Sequence, residues 1–404
     1  MAFVRKQFGE YYRRNSLLGK SLSKIQNREF GFASFEGWML RHKSFRTEEE
    51  LTFFLNDSVP RDAYFSCAYY EEPEAEMDKK GWSGADLIFD IDADHIPTIC
   101  DKVHDEWTCG KCCFTGKGIV PESCPVCGSE KFVDSTWPCE VCLNSAKSET
   151  VKLLDILMKD FGFSRNEIHL FFSGHRGYHV HIEGEVVRSL DAVARKEIVD
   201  YVCGLGLDLA LHELDDEGLG SPSQKDFGWR GRVIKKMCDL VRNAELEDYK
   251  NIGIKSNIAD VIMKNKAKIL ANWEKSRAWT VKGMGLETLK KIAEFAAKSQ
   301  MASVDTVVTT DIHRLIRLGG TLHGKTGLKK TEFPISALDN FDPFNDAVAF
   351  EGGTVSVNVF DAPKFRLADQ TFGPYRNQKV ELPTVAAVLL VCKKRAEVVE
   401  SDVQ

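Results

Sequence analysis

Residues 85–92 read ADLIFDID. An apolar run of this length predicts a strand, and because alternate side chains share a face, Asp90 and Asp92 lie together at its end. Two carboxylates in that relation can converge on a divalent cation. A pair of such cations about 3.5–4 Å apart activates an attacking hydroxyl and stabilises a pyrophosphate leaving group. D-x-D pairs also end strands without doing chemistry. This one stands out because its apolar strand drives both acids to one place, where unpaired charge is costly unless a cation neutralises it. Asp94 has the same parity but falls beyond the strand, where a solvated or helix-capping role fits it better.

Immediately downstream the composition changes. Seven of the twelve cysteines lie between Cys109 and Cys142, in a segment rich in Gly, Pro and Lys that is poor material for an apolar core. Disulfide scaffolds belong to small secreted domains, which a 404-residue chain is not, so metal-bound thiolates are the preferred reading. Cys109, Cys112, Cys124 and Cys127 form two CxxC pairs separated by 11 residues, the pattern of a ribbon-like tetrahedral zinc site. The third pair, Cys139 and Cys142, finds partners in Cys100 and His104, which makes the ribbon an insertion within an outer Cys3His site. With four protein ligands each, both zincs are structural. Cys113 is left over, and Cys67, Cys203, Cys238 and Cys392 read as buried small apolar residues.

Beyond the cysteines, KSETVKLLDILMKDFGF (147–163) carries helical spacing and can end at Gly162. EIHLFFSG and YHVHIEG then read as two antiparallel strands joined at a turn. Ser173, His175, Arg176, His179 and His181 crowd into nine residues around Gly174 and Gly177. Glycines permit close backbone approach, and Arg176 is suited to fork onto phosphate oxygens. The Walker spacing is missing, and for His179 and His181 zinc binding or plain packing stay open. Residues 189–212 and about 231–300 are helical by composition. A late stretch, VDTVVTTDIHRLIRLGGTLHGKTG, is expected to run as an apolar strand after Asp305 and then to present Arg314, Arg317, His323 and Lys325, either as nucleotide contacts or as a solvated face. Upstream, AYFSCAYYEEP reads as one strand. A strand near 355–360, a helix at 384–396 and a frayed polar tail close the chain.

Net charge is -6, so no global basic footprint is present, and positive charge for a polyanion would be confined to one cleft. No apolar run follows the N-terminal basic residues, and none approaches the about 18 residues of a membrane span. Neither a secretory signal nor a membrane association is expected.

Taken in order, FDID, SGHRGYH and RLIRLGGTLHGKTG, with NREFGF (27–32) and MLRHKSF (39–45) near the start, resemble the catalytic small subunit of archaeal and eukaryotic-type DNA primase. The resemblance implies a mixed α/β primase catalytic fold with a zinc module and a helical lobe. The expected divisions are residues 1–99 and 143–211 for the catalytic domain, 100–142 for the zinc module with its ribbon, 212–300 for the lobe, and 301–404 for the catalytic remainder. It also implies Asp90, Asp92 and Asp305 as ligands of two Mg2+ or Mn2+ ions, with Asp311 as runner-up for the third acid. Ser173, Arg176, His179, Arg317 and His323, with Lys325 close by, would contact the triphosphate. His175 departs from an arginine found in some relatives. The implied activity is synthesis of short RNA primers on single-stranded DNA from ribonucleoside triphosphates. Implied partners are an iron–sulfur-bearing large subunit and the replication machinery, in the cytoplasm of an archaeal cell near the nucleoid. A metal-dependent nuclease or nucleotide hydrolase, or a non-catalytic zinc protein that binds nucleic acid, are the competing readings.

Overall fold

A computed structural model describes residues 1–15, 22–212, 223–279 and 281–399. It divides the chain into two compact units, one of residues 1–150, 165–196 and 304–404, the other of 151–164 and 197–303. The end of the polar tail, 400–404, lies outside the described residues.

Two four-stranded antiparallel sheets dominate the first unit. One runs Leu315–Arg317, Asp62–Ser66, Phe30–Ala33, Met39–Lys43. The other runs Thr331–Phe333, Ile168–Phe172, Gly177–Ile182, Leu87–Asp92. In the Leu87–Asp92 strand Leu87, Ile88, Phe89 and Ile91 are buried, and only Asp90 and Asp92 remain partly open. Apolar side chains therefore cover both faces of the strand until the two acids emerge. Phe30, Phe32, Phe45 and Phe54 pack edge-on and tilted beneath the first sheet, with centroids 4.6–6.1 Å apart; such contacts add to burial in fixing a core. A three-stranded sheet near the C-terminus cradles Thr384–Cys392, a helix buried on every side up to Val391.

Several sequence expectations change here. AYFSCAYY is two strands broken at Cys67: Asp62–Ser66 joins the first sheet, whereas Ala68–Tyr70 pairs with Trp82–Ala85. VVTT is not a strand but a short helix, Thr306–Thr310, because the Asp305 carboxylate accepts the Val307 and Val308 N–H groups at its N-terminus. Capping of this kind outweighs the β preference of Val and Thr. The helix expected over 147–163 begins at Glu140, with the Leu143 N–H already bonded to the Cys139 carbonyl, and ends at Lys159. The last helix stops at Cys392, and Ala396–Val398 returns as a strand.

The second unit is helical. Gly228–Asn243 and Leu286–Gln300 pack around Met237, Val241, Ile292 and Ala296, with Trp273 stacked on Trp279 at 4.4 Å. Arg232 ties the helix to Asp155 at 2.7 Å and Asp160 at 2.5 Å. Among the described residues no helix is long and apolar enough to cross a membrane.

Candidate active site and metal centres

Antiparallel pairing sets His179 opposite Asp90 and Gly177 opposite Asp92. The pairing is close enough that a Cβ on Gly177 would stand 2.3 Å from the Ile91 carbonyl oxygen; only glycine lets the turn meet the acidic strand here. Gly174 adopts φ +89°, the region glycine favours, and brings the turn against His323. The Ser173 hydroxyl accepts from the His175 and Gly177 N–H groups at 3.3 and 3.2 Å, closing the turn.

One cleft gathers Asp90, Asp92, Ser173, His179, Arg317 and His323 with Tyr64, His175 and Arg314. At its acidic end the Asp305 N–H donates to the Asp90 carbonyl at 2.8 Å. Burial, followed by the charges of Asp92 and Asp305, pushes the Asp90 carboxyl up to about 7. Asp92 is also raised by burial, against the pull of Arg176. Carboxylates gathered so that each resists ionising the next are suited to a hard divalent cation, which removes the repulsion. Asp305 uses one oxygen on its helix cap. Asp311, by contrast, accepts from the His313 N–H and lies beside Cys67.

The other end of the cleft is cationic or neutral. Arg317 is buried, bonded to Asp62 at 2.6 Å and seated over the Tyr64 ring at 5.2 Å. Burial holds His175, His179 and His323 well below the usual histidine range, so all three rings are neutral at pH 7. His179 Nε2 stands 3.5 Å from Asp90 Oδ1, and its buried Nδ1 has no hydrogen-bond partner. Lys325 is exposed and does not line the cleft, although its charge reaches Asp92. His181 shares the face of His179, its ring stacked at 6.1 Å, but lies outside the cleft lining against Phe171 and the buried Lys330.

Arg176 departs from the phosphate role that its position in the turn suggested. It is 1% exposed and outside the cleft lining. Its guanidinium is committed to Asp105 at 2.7 and 2.9 Å and to Asp94. Two carboxylates from elsewhere in the chain neutralise a buried guanidinium, whose Nε alone is left without a partner. Asp105 also accepts from the Trp137 N–H at 2.8 Å and pairs with His104 Nδ1 at 2.7 Å. Asp62 and Asp105 were not singled out in the sequence. Asp105 carried one signal, its place beside a candidate metal-binding histidine.

Both zinc groupings assemble. Cys100, His104, Cys139 and Cys142 form one group and Cys109, Cys112, Cys124 and Cys127 the other, each with its donor atoms within 4.8 Å of one another. Among the described residues these are the only such groups; the three aspartates are spread more widely, as ligands shared between two cations can be. Sulfur separations of 3.5 and 3.6 Å across the ribbon group and 3.6 Å in the outer group approach the edge of about 3.8 Å of a zinc–thiolate tetrahedron, and His104 Nε2 lies 3.5 and 3.4 Å from the Cys100 and Cys142 sulfurs. Asp105 on His104 Nδ1 stands where an outer-sphere carboxylate would orient a metal-bound imidazole.

A family model for the DNA primase small subunit matches residues 130–335. Curated relatives align nearly end to end. The DNA primase small subunit PriS of Nitrosopumilus maritimus is 31% identical, covering 98% of this chain and 98% of its own. That of Methanothrix thermoacetophila is 34% identical over 98% of each chain. That of Archaeoglobus fulgidus is 34% identical over 97% of this chain and 96% of its own.

Proposed function

The chain belongs to the DNA primase small subunit family and is a DNA primase, and we propose that it joins ribonucleoside triphosphates opposite a single-stranded DNA template with release of pyrophosphate. Asp90, Asp92 and Asp305 would hold two Mg2+ or Mn2+ ions, whose charge would favour ionisation of the attacking 3′-hydroxyl and offset that of the triphosphate and the departing pyrophosphate. The observation that supports this reading is the 2.8 Å backbone hydrogen bond from Asp305 to Asp90, together with the Asp305 charge that raises the Asp90 carboxyl.

Opposite the acids, Ser173, His179, Arg317 and His323 orient the triphosphate; none serves as a nucleophile. Arg317 arrives with its guanidinium pre-aimed by Asp62, so little side-chain freedom is lost on binding. His179 spans the two ends, with one nitrogen near Asp90 and the other unpartnered. Arg176 positions the turn through Asp105 and Asp94, and Lys325 adds charge at the mouth. Template sequence is read by base pairing, so protein contacts to it are to backbone and stacked bases. The two zincs are structural, and a primase large subunit is the partner in initiation.

Incubation of the zinc-loaded chain with single-stranded template, labelled ribonucleoside triphosphates and Mn2+ tests the reading. Template-dependent oligomers are expected. Shortened template or free phosphate in their place would make the protein a nuclease or a nucleotide hydrolase.

A further inference from the structure

Lys393 is a buried basic group that the reaction described above does not use; burial, followed by the charges of Lys325 and Arg176, lowers it to about 7. It follows the Thr384–Cys392 helix, and its ammonium donates to the Thr136 carbonyl at 2.6 Å and to His175 Nε2 at 2.9 Å. Lys393 is 6% exposed and His175 likewise 6%. The lysine therefore joins three segments far apart in sequence: the end of the C-terminal helix, the exit of the zinc module, and the turn at 173–176.

In its protonated form, which an anion in the cleft favours, Lys393 has no acceptor capacity, so the nitrogen it meets must present a lone pair. His175 Nε2 is thereby the unprotonated ring nitrogen, and in a neutral imidazole the proton resides on Nδ1. The Thr136 hydroxyl lies 3.1 Å from the same Nε2 and closes that side of the ring. No protein hydrogen bond among the described residues engages Nδ1. The ring lines the cleft and stacks on His323 at 5.1 Å with a 19° tilt. A donor fixed in this way is suited to an anionic oxygen, because the lysine behind it supplies the charge that the neutral ring lacks.

We propose that Lys393 is a positioning residue for the incoming triphosphate: it locks His175 with its Nδ1–H toward the cleft and places a cation one ring behind the phosphate site. The inference rests on the cleft being the triphosphate site. Lys394, next in the chain, does not make these contacts, so the role follows from the place where the helix ends and not from local charge.

The test measures the KM for ATP and the kcat of templated synthesis in the zinc-loaded full-length chain with Mn2+. Lys393→Met, His175→Ala and the double variant are compared after their melting temperatures and zinc contents are checked against wild type. Loss of one charge-assisted hydrogen bond predicts that each single variant raises KM about tenfold, with a smaller change in kcat. Because the lysine acts through the histidine, the double variant should be no worse than either single one. A folded Lys393→Met protein with unchanged KM overturns the proposal, as does a double variant in which the two effects multiply. Where Lys393→Met does not fold, the tautomer of His175 in the wild-type chain decides, read from long-range 1H–15N correlations on histidine-labelled protein. Protonation at Nδ1 supports the proposal and protonation at Nε2 overturns it. Arg317→Ala and His323→Ala separate the two levels of the account. If both leave KM unchanged, the cleft is not the triphosphate site, and this inference falls with that reading. If they raise KM while Lys393→Met does not, only the role of Lys393 fails.

Discussion

Asp90 has the most consequential single environment in the molecule. Its carboxyl rises to about 7 because burial and two neighbouring acids oppose its ionisation. A folded-state pKa above the unfolded one gives stability that is present below about pH 4 and is lost as pH rises through about 7. In zinc-loaded protein without added Mg2+ or Mn2+, Asp90→Asn should therefore be more stable than wild type at pH 8. The margin should be ~2 kcal/mol, less than the full shift implies because 23% of the Asp90 side chain is exposed. The gap should close toward pH 4. Added Mn2+ should stabilise wild type at pH 8 and leave the variant unmoved; urea midpoints across this pH range check both signs. The neighbouring acids are predicted to differ. Asp305→Asn should reduce synthesis by about a thousandfold, as loss of several kcal/mol of transition-state stabilisation implies. Asp311→Asn, whose carboxylate serves His313, should cost less than about fivefold. Steady-state rates of dinucleotide formation distinguish the two.

Among elements, the short helix after Asp305 shows how local and tertiary signals divide. The Val307, Val308 and Thr309 run favours a strand by residue type, yet a capping aspartate and the meeting with the Asp90 backbone make it helical. Strand Leu87–Asp92 and the strands on either side of Ser173–Arg176 were legible, because two-residue periodicity and paired glycines leave few alternatives. The cysteine pairs were legible for a similar reason, since CxxC spacing prescribes a tight turn. What spacing could not show was the use of Arg176. Its partner Asp105 lies 71 residues away, and only the folded chain reveals that the arginine links the turn to the zinc-site histidine. The same connection separates the two zinc elements functionally. Cys124→Ser should lower bound zinc by about one ion per chain and leave synthesis within about threefold of wild type. Cys139→Ser should lose the other zinc and also cut synthesis by tenfold or more, because His104, Asp105 and Arg176 lose their anchor. Zinc content by mass spectrometry alongside the synthesis rate checks the contrast.

At the scale of the whole molecule, chemistry is concentrated in the unit built from residues 1–150, 165–196 and 304–404, which contributes every residue of the cleft and both zinc groups. In a chain of net charge -6, Arg314 and Arg317 line the same cleft as Asp90 and Asp92, so positive charge for a polyanion is local, and a divalent metal on the proposed site would neutralise the acids. The general form of this site was readable from three motifs in sequence order. Lys393 was not, since nothing in KKRAEVV marks one lysine as buried behind His175. On the proposed mechanism Asp90, Asp92 and Asp305 act together as the metal-holding acids. Dinucleotide synthesis by Asp92→Asn is the decisive measurement, made on single-stranded template with Mn2+ once zinc content and melting temperature are matched to wild type. A loss of at least about a thousandfold is expected; synthesis at the wild-type rate would mean that these acids do not hold the catalytic metals.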